Sequence, residues 1–365
     1  MPGLNASSFL SSDFVVIQHD SPSEFLAAAY PTLRRHEASA NIVLAHALKR
    51  VTTEAAMAGF QFICDADVED MLACADEYST TPHKTSSAFW LTLWGRPTPS
   101  SPLRLEVVLS CVDWTLGEYP IFLWTPHTDK AASSAWSEPR MTCITQHLEH
   151  CVSPERVFSV FGFTPLVKTF SRQWSSMTGY AIEPEPFYAA YFSYCNVDTF
   201  KQSKASLPEG HRLRRATLAD LSQVAQLCKE FADDTIFFPL TLDRAMIEAR
   251  ELILKRQIWV YDAQGDISTI CAVTRNTHRV SAITKVYTTP RWRRRGCAEL
   301  LVRDVTARLL FECGKDNVVL YVGHENSAQK VYDRVGFVGL CGKDKPVGVE
   351  DSLELGICGT KRGHW

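Results

Sequence analysis

Six residues, Arg293-Arg294-Arg295-Gly296-Cys297-Ala298, stand between a stretch rich in β-branched residues at 281–288, closed by Pro290, and a long run of helical spacing. The order is strand, basic glycine loop, helix start. The first N–H groups of a helix have no partner within it, and the helix dipole puts partial positive charge at the same end. A glycine lets the backbone come close to a bound group. Together these features build a cradle for a diphosphate.

The elements that must position such a loop follow from spacing. A short strand is expected over 212–216, then a helix capped by Thr217 with Leu221, Val224, Ala225, Leu227 and Cys228 on one face. A second helix is expected over 242–255, two strands over 257–262 and 269–274, and the strand over 281–288. The helix after the loop runs to about Cys313, with Gly314 as its stop. A buried strand at 318–322, a helix at 326–335 ended by Gly336, and weaker strands at 337–341 and 353–357 complete this half. In the first half, strands are expected at 14–17, 89–94, 105–111 and 121–124, and helices at 21–49 and 165–176. Pro97, Pro99 and Pro102 mark a loop. The polar stretch 196–210 follows an aromatic, strand-like run at 187–195 and reads as a linker.

Bulk composition bounds the class. The chain has 365 residues, 45% hydrophobic and 22% charged, which suits two ordinary domains with real cores. A net charge of −3 and a pI near 6.4 give no support to a nucleic-acid surface. No stretch reaches the ~20 apolar residues of a membrane span. Residues 1–13 lack the positive start and apolar core of a secretory signal. The twelve cysteines are scattered without a Cys-x-x-Cys pair. They read as buried thiols, and the protein as cytoplasmic. Cys143, His147, His150 and Cys151 share a helix, but the neighbours His150 and Cys151 point apart. No metal is expected there.

The loop Arg293-x-x-Gly296-x-Ala298 resembles the acetyl-CoA diphosphate motif of the GNAT superfamily of N-acetyltransferases. Two further segments carry the resemblance. Asn326-Ser-Ala328-Gln-Lys-Val-Tyr332-Asp-Arg-Val-Gly336-Phe337 is similar to the family's Asn-x-x-Ala-x-x-x-Tyr-x-x-x-Gly-Phe, one residue shorter between Asn and Ala. Val286-Tyr287-Thr288-Thr289-Pro290 looks like the strand leading into the diphosphate loop. The resemblance implies an α/β (α+β) fold with a mixed, mostly antiparallel central sheet flanked by helices. It also implies roles. Val286, Tyr287 and Thr288 pair with the pantetheine arm, and Arg293, Arg294, Arg295, Gly296, Cys297, Ala298 and Glu299 hold the diphosphate. Asn326 contacts the CoA arm, and Tyr332 protonates the leaving thiolate. A phenol with an ordinary pKa of ~10 can serve a thiolate of reference pKa ~8.5. As general base, Glu230, Asp233, Asp234, His278, His324 and Glu325 are the candidates.

The segment from Glu24 through Tyr30–Glu37 to Leu44 resembles a GNAT subgroup with an extra N-terminal lobe. No second glycine loop occurs over 1–195. The expected organisation is therefore two GNAT-like lobes in tandem: 1–195 without a CoA loop, a linker at 196–210, and a catalytic domain at 211–365. The first lobe is expected to wall one side of the acceptor cleft. Its tryptophans (Trp90, Trp94, Trp114, Trp124, Trp136 and Trp174) read as core. The expected activity is direct acetyl transfer from acetyl-CoA, without a covalent cysteine intermediate, to the amine of a small-molecule or amino-acid-like substrate. The acceptor pocket is expected to involve 231–240. The alternatives are a protein lysine or N-terminus as acceptor, and a non-catalytic CoA-binding scaffold.

Overall fold

The structure, a computed structural model, describes residues 9–10, 14–57, 88–96, 98, 100–203, 205–234 and 237–364. Pro97, Pro99, Lys204 and positions 235–236 of the expected acceptor segment lie outside the described residues, as does most of 1–13. The chain divides into two compact units, 1–189 with 352–365, and 190–351.

The first unit contains β1 (Phe9–Leu10), β2 (Phe14–His19), α1 (Pro22–Arg35), α2 (Asn41–Met57), β3 (Phe89–Gly95) and β4 (Arg104–Cys111). A small hairpin follows, β5 (Asp113–Trp114) with β6 (Gly117–Glu118). Then come β7 (Ile121–Trp124), α3 (Thr128–Ala131), α4 (Ser134–Cys151), β8 (Ser159–Phe163) and α5 (Thr164–Thr178). The last strand is β15 (Asp351–Gly356). The expected single helix over 21–49 is two helices. Ser21 caps the first, its Oγ accepting from the Ser23 N–H at 3.2 Å, with Pro22 at the first helical position. Helix α1 ends at Arg35 and α2 starts at Asn41.

The sheet runs β2-β3-β4-β7-β8-β15, antiparallel throughout except for the parallel β7–β8 pair. Strands β3 and β4 are apolar on both faces, as strands covered on both sides must be. On one face Met141, Ile144 and Leu148 of α4 and Phe170 and Trp174 of α5 pack on Leu91, Leu93, Val107 and Leu109. On the other, Phe25 of α1 stacks on Trp90 with ring centres 5.3 Å apart. Trp90 and Trp174 are fully buried, in keeping with their reading as core.

The second unit repeats that order. It takes most of β9 (Tyr188–Cys195), then β10 (His211–Arg215), α6 (Leu221–Asp233), α7 (Leu242–Leu254), β11 (Ile258–Ala263), β12 (Asp266–Asn276), β13 (Val280–Thr288), α8 (Cys297–Ala307), β14 (Asn317–Gly323) and α9 (Gln329–Val335). The sheet runs β10-β11-β12-β13-β14-β9, with β13–β14 the parallel pair. Helices α6 and α7 cover one face and α8 and α9 the other. Thr217 and Asp220 form the capping box that starts this unit's helices, and Arg214 grips the Asp220 carboxylate with two nitrogens at 2.7 and 2.8 Å. No residue-level repeat accompanies the shared topology, because the same strand order is built on different side chains.

The domain boundaries expected from sequence need correction. The run at 188–195 pairs with β14 from Cys195↔Val318 to Ala190↔Gly323, so it completes the second sheet. The strand at 351–356 pairs with β8 and completes the first. The expected linker is also partly built in. The Lys201 N–H donates to Val335 O, its Nζ to Asp333 O at 2.9 Å, and Phe200 packs into the second core. The expected strand at 337–341 is a turn, because Gly336, Gly339 and Cys341 all have positive φ. The helix expected from Asn326 begins three residues later, at Gln329. Among the described residues, no helix is long and apolar enough to cross a membrane.

Candidate acyl-CoA site

Strand β13 pairs with β14 only from Val280↔Asn317 to Ile283↔Leu320. Beyond that rung β14 continues along β9 to Gly323, while β13 continues along β12 to Thr288. The two strands therefore part, and residues 284–288 carry a β14-facing edge with no strand partner among the described residues. The β12–β13 register shifts at Val273, opposite this point. A bulge of this kind re-aims the side chains that follow. Ile283 and Val286 both face the α8/α9 core, whereas Tyr287 faces α6 and α7.

The wedge leads to the glycine loop. After Thr288 the chain makes a short turn at Pro290–Trp292. Asp266 anchors that turn, accepting from Trp292 Nε1 at 2.7 Å and from Arg291. Arg294 follows at φ +62° and Gly296 at φ +78°. The first is a left-handed conformation uncommon for a side-chain-bearing residue, and such strain collects at functional loops. A Cβ built on Gly296 meets nothing within 4 Å. The requirement for glycine is thus the backbone conformation, and the space above it is open to a ligand. The N–H groups of Arg294, Arg295 and Gly296 donate to no backbone carbonyl among the described residues. Those of Cys297, Ala298 and Glu299 open α8, where helix geometry supplies no acceptor. Among the described residues, the backbone expected to cradle a diphosphate spends none of these N–H groups on another main-chain group.

The side chains of the loop divide by task. Arg293 folds back, donating to Thr288 O at 3.0 Å, Tyr287 Oη at 3.1 Å and Asp234 at 3.2 Å, so it braces the loop against β13 and α6. Arg295 lies over the Trp292 ring at 4.8 Å. Arg294 is exposed and pairs with no carboxylate among the described residues. Cys297 is buried, and burial pushes its thiol up; it fills space beneath the loop. Burial works against the charge of Glu299, but hydrogen bonds from Arg334 and Arg303 more than offset it and hold the carboxyl below its usual range. That charge is turned toward α9 and neutralised, which removes a repulsion from the loop.

The Asn326–Phe337 segment borders the same region. Asn326 Oδ1 accepts from the Ala328 N–H at 2.9 Å, which leaves its NH2 group for a ligand. Tyr332 is 8% exposed and meets the Phe337 ring edge-on at 5.8 Å. Gly336 is required for a separate reason: a Cβ there would sit 2.2 Å from Thr199 O.

The base candidates separate. His278 sits in the β12–β13 turn, at the closed end of the sheet. His324 follows β14 at the open end, with its ring 4.2 Å from Tyr191 and its Nε2 3.2 Å from Asp351. Glu325 beside it is exposed. Asp233 pairs with Lys229, and Asp234 with Arg293. Glu230 takes a bond from Gln226 on one oxygen, and its buried Oε2 has no partner among the described residues.

One pair escaped the sequence reading. Lys285, just beyond the bulge, donates to both oxygens of Glu248 on α7, at 2.6 and 2.8 Å, with the Phe231 ring 5.1 Å from its ammonium. The one sequence signal was a lysine inside a β-branched strand, and its partner stands 37 positions away in an unremarkable helix.

The first unit contrasts at each point. Its parallel pair runs through Leu123↔Gly162, next to the end of β7 at Trp124. A Cβ on Gly162 would lie 2.4 Å from Leu123 O, so the two strands are closed together there. Helix α4 starts from Ser133, without a glycine loop. Of the cysteine–histidine group on α4, His147 Nε2 and Cys151 Sγ both lie against Gln18 Oε1, at 3.3 and 3.1 Å. Among the described residues no group of three metal-ligating side chains is assembled.

A family model described as an acetyltransferase (GNAT) domain matches residues 232–347. No curated protein matches the chain. Among solved structures, a GCN5-related N-acetyltransferase from Sphaerobacter thermophilus is 16% identical, with 95% of this chain and 96% of that one covered and a TM-score of 0.48. A GNAT-family acetyltransferase from Colwellia psychrerythraea is 11% identical, covering 81% and 97%, with a TM-score of 0.44. A tandem GNAT protein from the clavulanic acid biosynthesis pathway is 13% identical, covering 80% and 88%, with a TM-score of 0.41. The family match spans the wedge, the glycine loop and the Asn326–Phe337 segment, and with it the second unit of this chain carries a GNAT acetyltransferase domain.

Proposed function

We propose that residues 190–351 form an acetyl-CoA-dependent N-acetyltransferase whose acceptor is the amine of a small-molecule or amino-acid-like substrate. The observation that carries this reading is the parting of β13 from β14 after Ile283↔Leu320, which opens onto the unspent N–H groups around Gly296. The free edge of 284–288 pairs with the amides of the pantetheine arm, and the loop N–H groups take the diphosphate. Acyl transfer forms a C–N bond and breaks a C–S bond. The amine gives up a proton and the thiolate gains one. We assign the thiolate's proton to Tyr332. We assign acceptance of the amine's proton to Glu230, which holds a buried, unpartnered oxygen on the acceptor-facing helix α6. A small acceptor, rather than a protein lysine, fits the set of Glu230, Phe231, Glu248 and Lys285 on that face. The described cysteines are free thiols, which supports a reducing, cytoplasmic setting.

The test is a CoA-release assay of the full chain against a panel of small amines and amino acids, with lysine peptides alongside. Turnover of a small amine that disappears in Gly296→Glu is the expected result. Turnover confined to the peptides, or acetyl-CoA binding without any turnover, overturns the assignment.

A further inference from the structure

A second recess lies in the same unit at the other end of α8. It has a volume of about 340 Å³ and is lined by Leu213, Arg214, Arg215, Trp259, Arg308, Leu309, Glu312 and Cys313. Helix α8 has 11 residues, so roughly 16 Å of helix separates this recess from the glycine loop at its start. The wall on the α8 side is a π-helical turn, Arg308–Glu312. Such turns are rare and are found mostly at functional sites.

The charges in the recess do not balance. Arg214 is spent on Asp220 and Asp262. Arg308 is shared between Asp304 at 2.8 Å and Glu312 at 3.5 Å. Arg215 is different: its guanidinium lies 4.4 Å over the Trp259 ring and its Nη1 donates to Arg256 O. Among the described residues no Asp or Glu pairs with Arg215 or with Arg256. Burial and the neighbouring cations Arg256 and Arg308 both work against the charge of Arg215 and lower its pKa. A half-buried guanidinium beside two like charges, with open donors, is a site that gains from an anion. The rest of the lining is Cys313 and the apolar Leu213, Trp259 and Leu309. A recess of this size falls in the range of small-molecule sites, where a few polar groups orient an apolar body.

We propose that this recess binds a small carboxylate with a planar apolar body, its carboxylate on Arg215 and its body against Leu213, Trp259 and Leu309. Arg215 is suited to the carboxylate because its planar fork offers two parallel donors and the indole beneath fixes its plane. The recess is distinct from the acyl-CoA loop and does not depend on the acceptor chemistry proposed above.

Isothermal titration of the full chain with sodium benzoate tests this. One saturable site is expected, weakened at least tenfold in Arg215→Gln and at least tenfold for benzyl alcohol, which keeps the ring and loses the charge. Saturating acetyl-CoA leaves the benzoate affinity unchanged. Cys313→Asp is the second variant. Cys313 is exposed, so the change spares the core and sets a carboxylate in the recess to occupy Arg215; it too is expected to abolish binding. The proposal is overturned by absence of a saturable site, by equal binding of benzyl alcohol, by full affinity in Cys313→Asp, or by displacement of benzoate by acetyl-CoA.

Discussion

Ile283 and Leu320 form the last rung of the parallel pair, and every group assigned to acyl-CoA lies beyond it. Before the rung the two strands satisfy each other. After it β13 keeps a bare edge that leads to Gly296.

That geometry makes Gly296 the most sensitive position in the loop. Its φ of +78° costs a side-chain residue about 1–2 kcal/mol. Gly296→Ala should lower stability by that amount in urea denaturation. Gly296→Glu should in addition abolish the thermal stabilisation by acetyl-CoA, because a carboxylate then fills the space meant for a diphosphate. A full acetyl-CoA shift in Gly296→Glu would remove the loop from the site.

Tyr332→Phe separates proton delivery from binding. The phenylalanine ring keeps the edge-on contact with Phe337, so the fold and the acetyl-CoA KM should stay in place. The kcat should fall, by as much as ~10²–10⁴-fold if no other acid substitutes. An equal loss in kcat and in acetyl-CoA affinity would assign Tyr332 to binding instead.

The Lys285–Glu248 pair is mostly buried, with side chains 11% and 17% exposed. Lys285→Met strands a carboxylate and should cost on the order of 3 kcal/mol. The double variant Lys285→Met/Glu248→Leu should recover most of that loss. Chemical denaturation of the three proteins checks it. No recovery in the double variant would show that the two residues act separately.

Glu354 on β15 is fully buried, takes the Ser159 hydroxyl on one oxygen at 2.7 Å, and has no partner for the other among the described residues. Burial pushes its carboxyl up to about 8, from an ordinary 4.5, against a smaller opposing effect of the Ser159 bond. The folded state therefore holds a proton that the unfolded chain has released. Its contribution is fully present below pH 4.5, declines as pH rises, and is gone above about pH 8. At ~1.4 kcal/mol per pH unit the window is worth ~5 kcal/mol. Thermal unfolding between pH 5 and 8 should show a slope that Glu354→Gln flattens. An unchanged slope would mean that Glu354 is ionised in the folded protein.

The elements around the candidate site were legible because their signals are local. Thr217 as a cap, the β-branched run at 281–288 and the glycine loop each declare themselves within a few residues. The Asn326–Phe337 segment does the same, and Gly336 does stop its helix. What local pattern could not tell was which ladder the runs at 188–195 and 351–356 join. Both are short, largely apolar and strand-like, and each pairs with a strand far away in sequence. The Lys285–Glu248 contact was hidden for the same reason. The turn at 337–341 was misread because its apolar residues suit a strand, while positive φ at Gly339 and Cys341 forbids one.

Chain cutting tests that pairing directly. A fragment of 211–365 lacks β9, which leaves β14 bare from Val318 to Gly323, and lacks the Lys201 and Phe200 contacts. It should aggregate or unfold without cooperativity. A fragment of 190–351 keeps all six strands of the second sheet and should unfold cooperatively and bind acetyl-CoA. Equal behaviour of the two fragments would show that β9 is dispensable.

The late arrival of β15 also has a meaning for synthesis. The ribosome completes α5 and every other strand of the first unit long before it reaches Ser352. Throughout that interval the nascent chain presents β8 with an unpaired flank and a buried-type glutamate still to come. Exposed strand flanks of this sort recruit other chains. The first unit is therefore the part of this protein whose maturation should lean most on chaperones, and a premature stop before residue 352 should harm it more than the domain that precedes the stop.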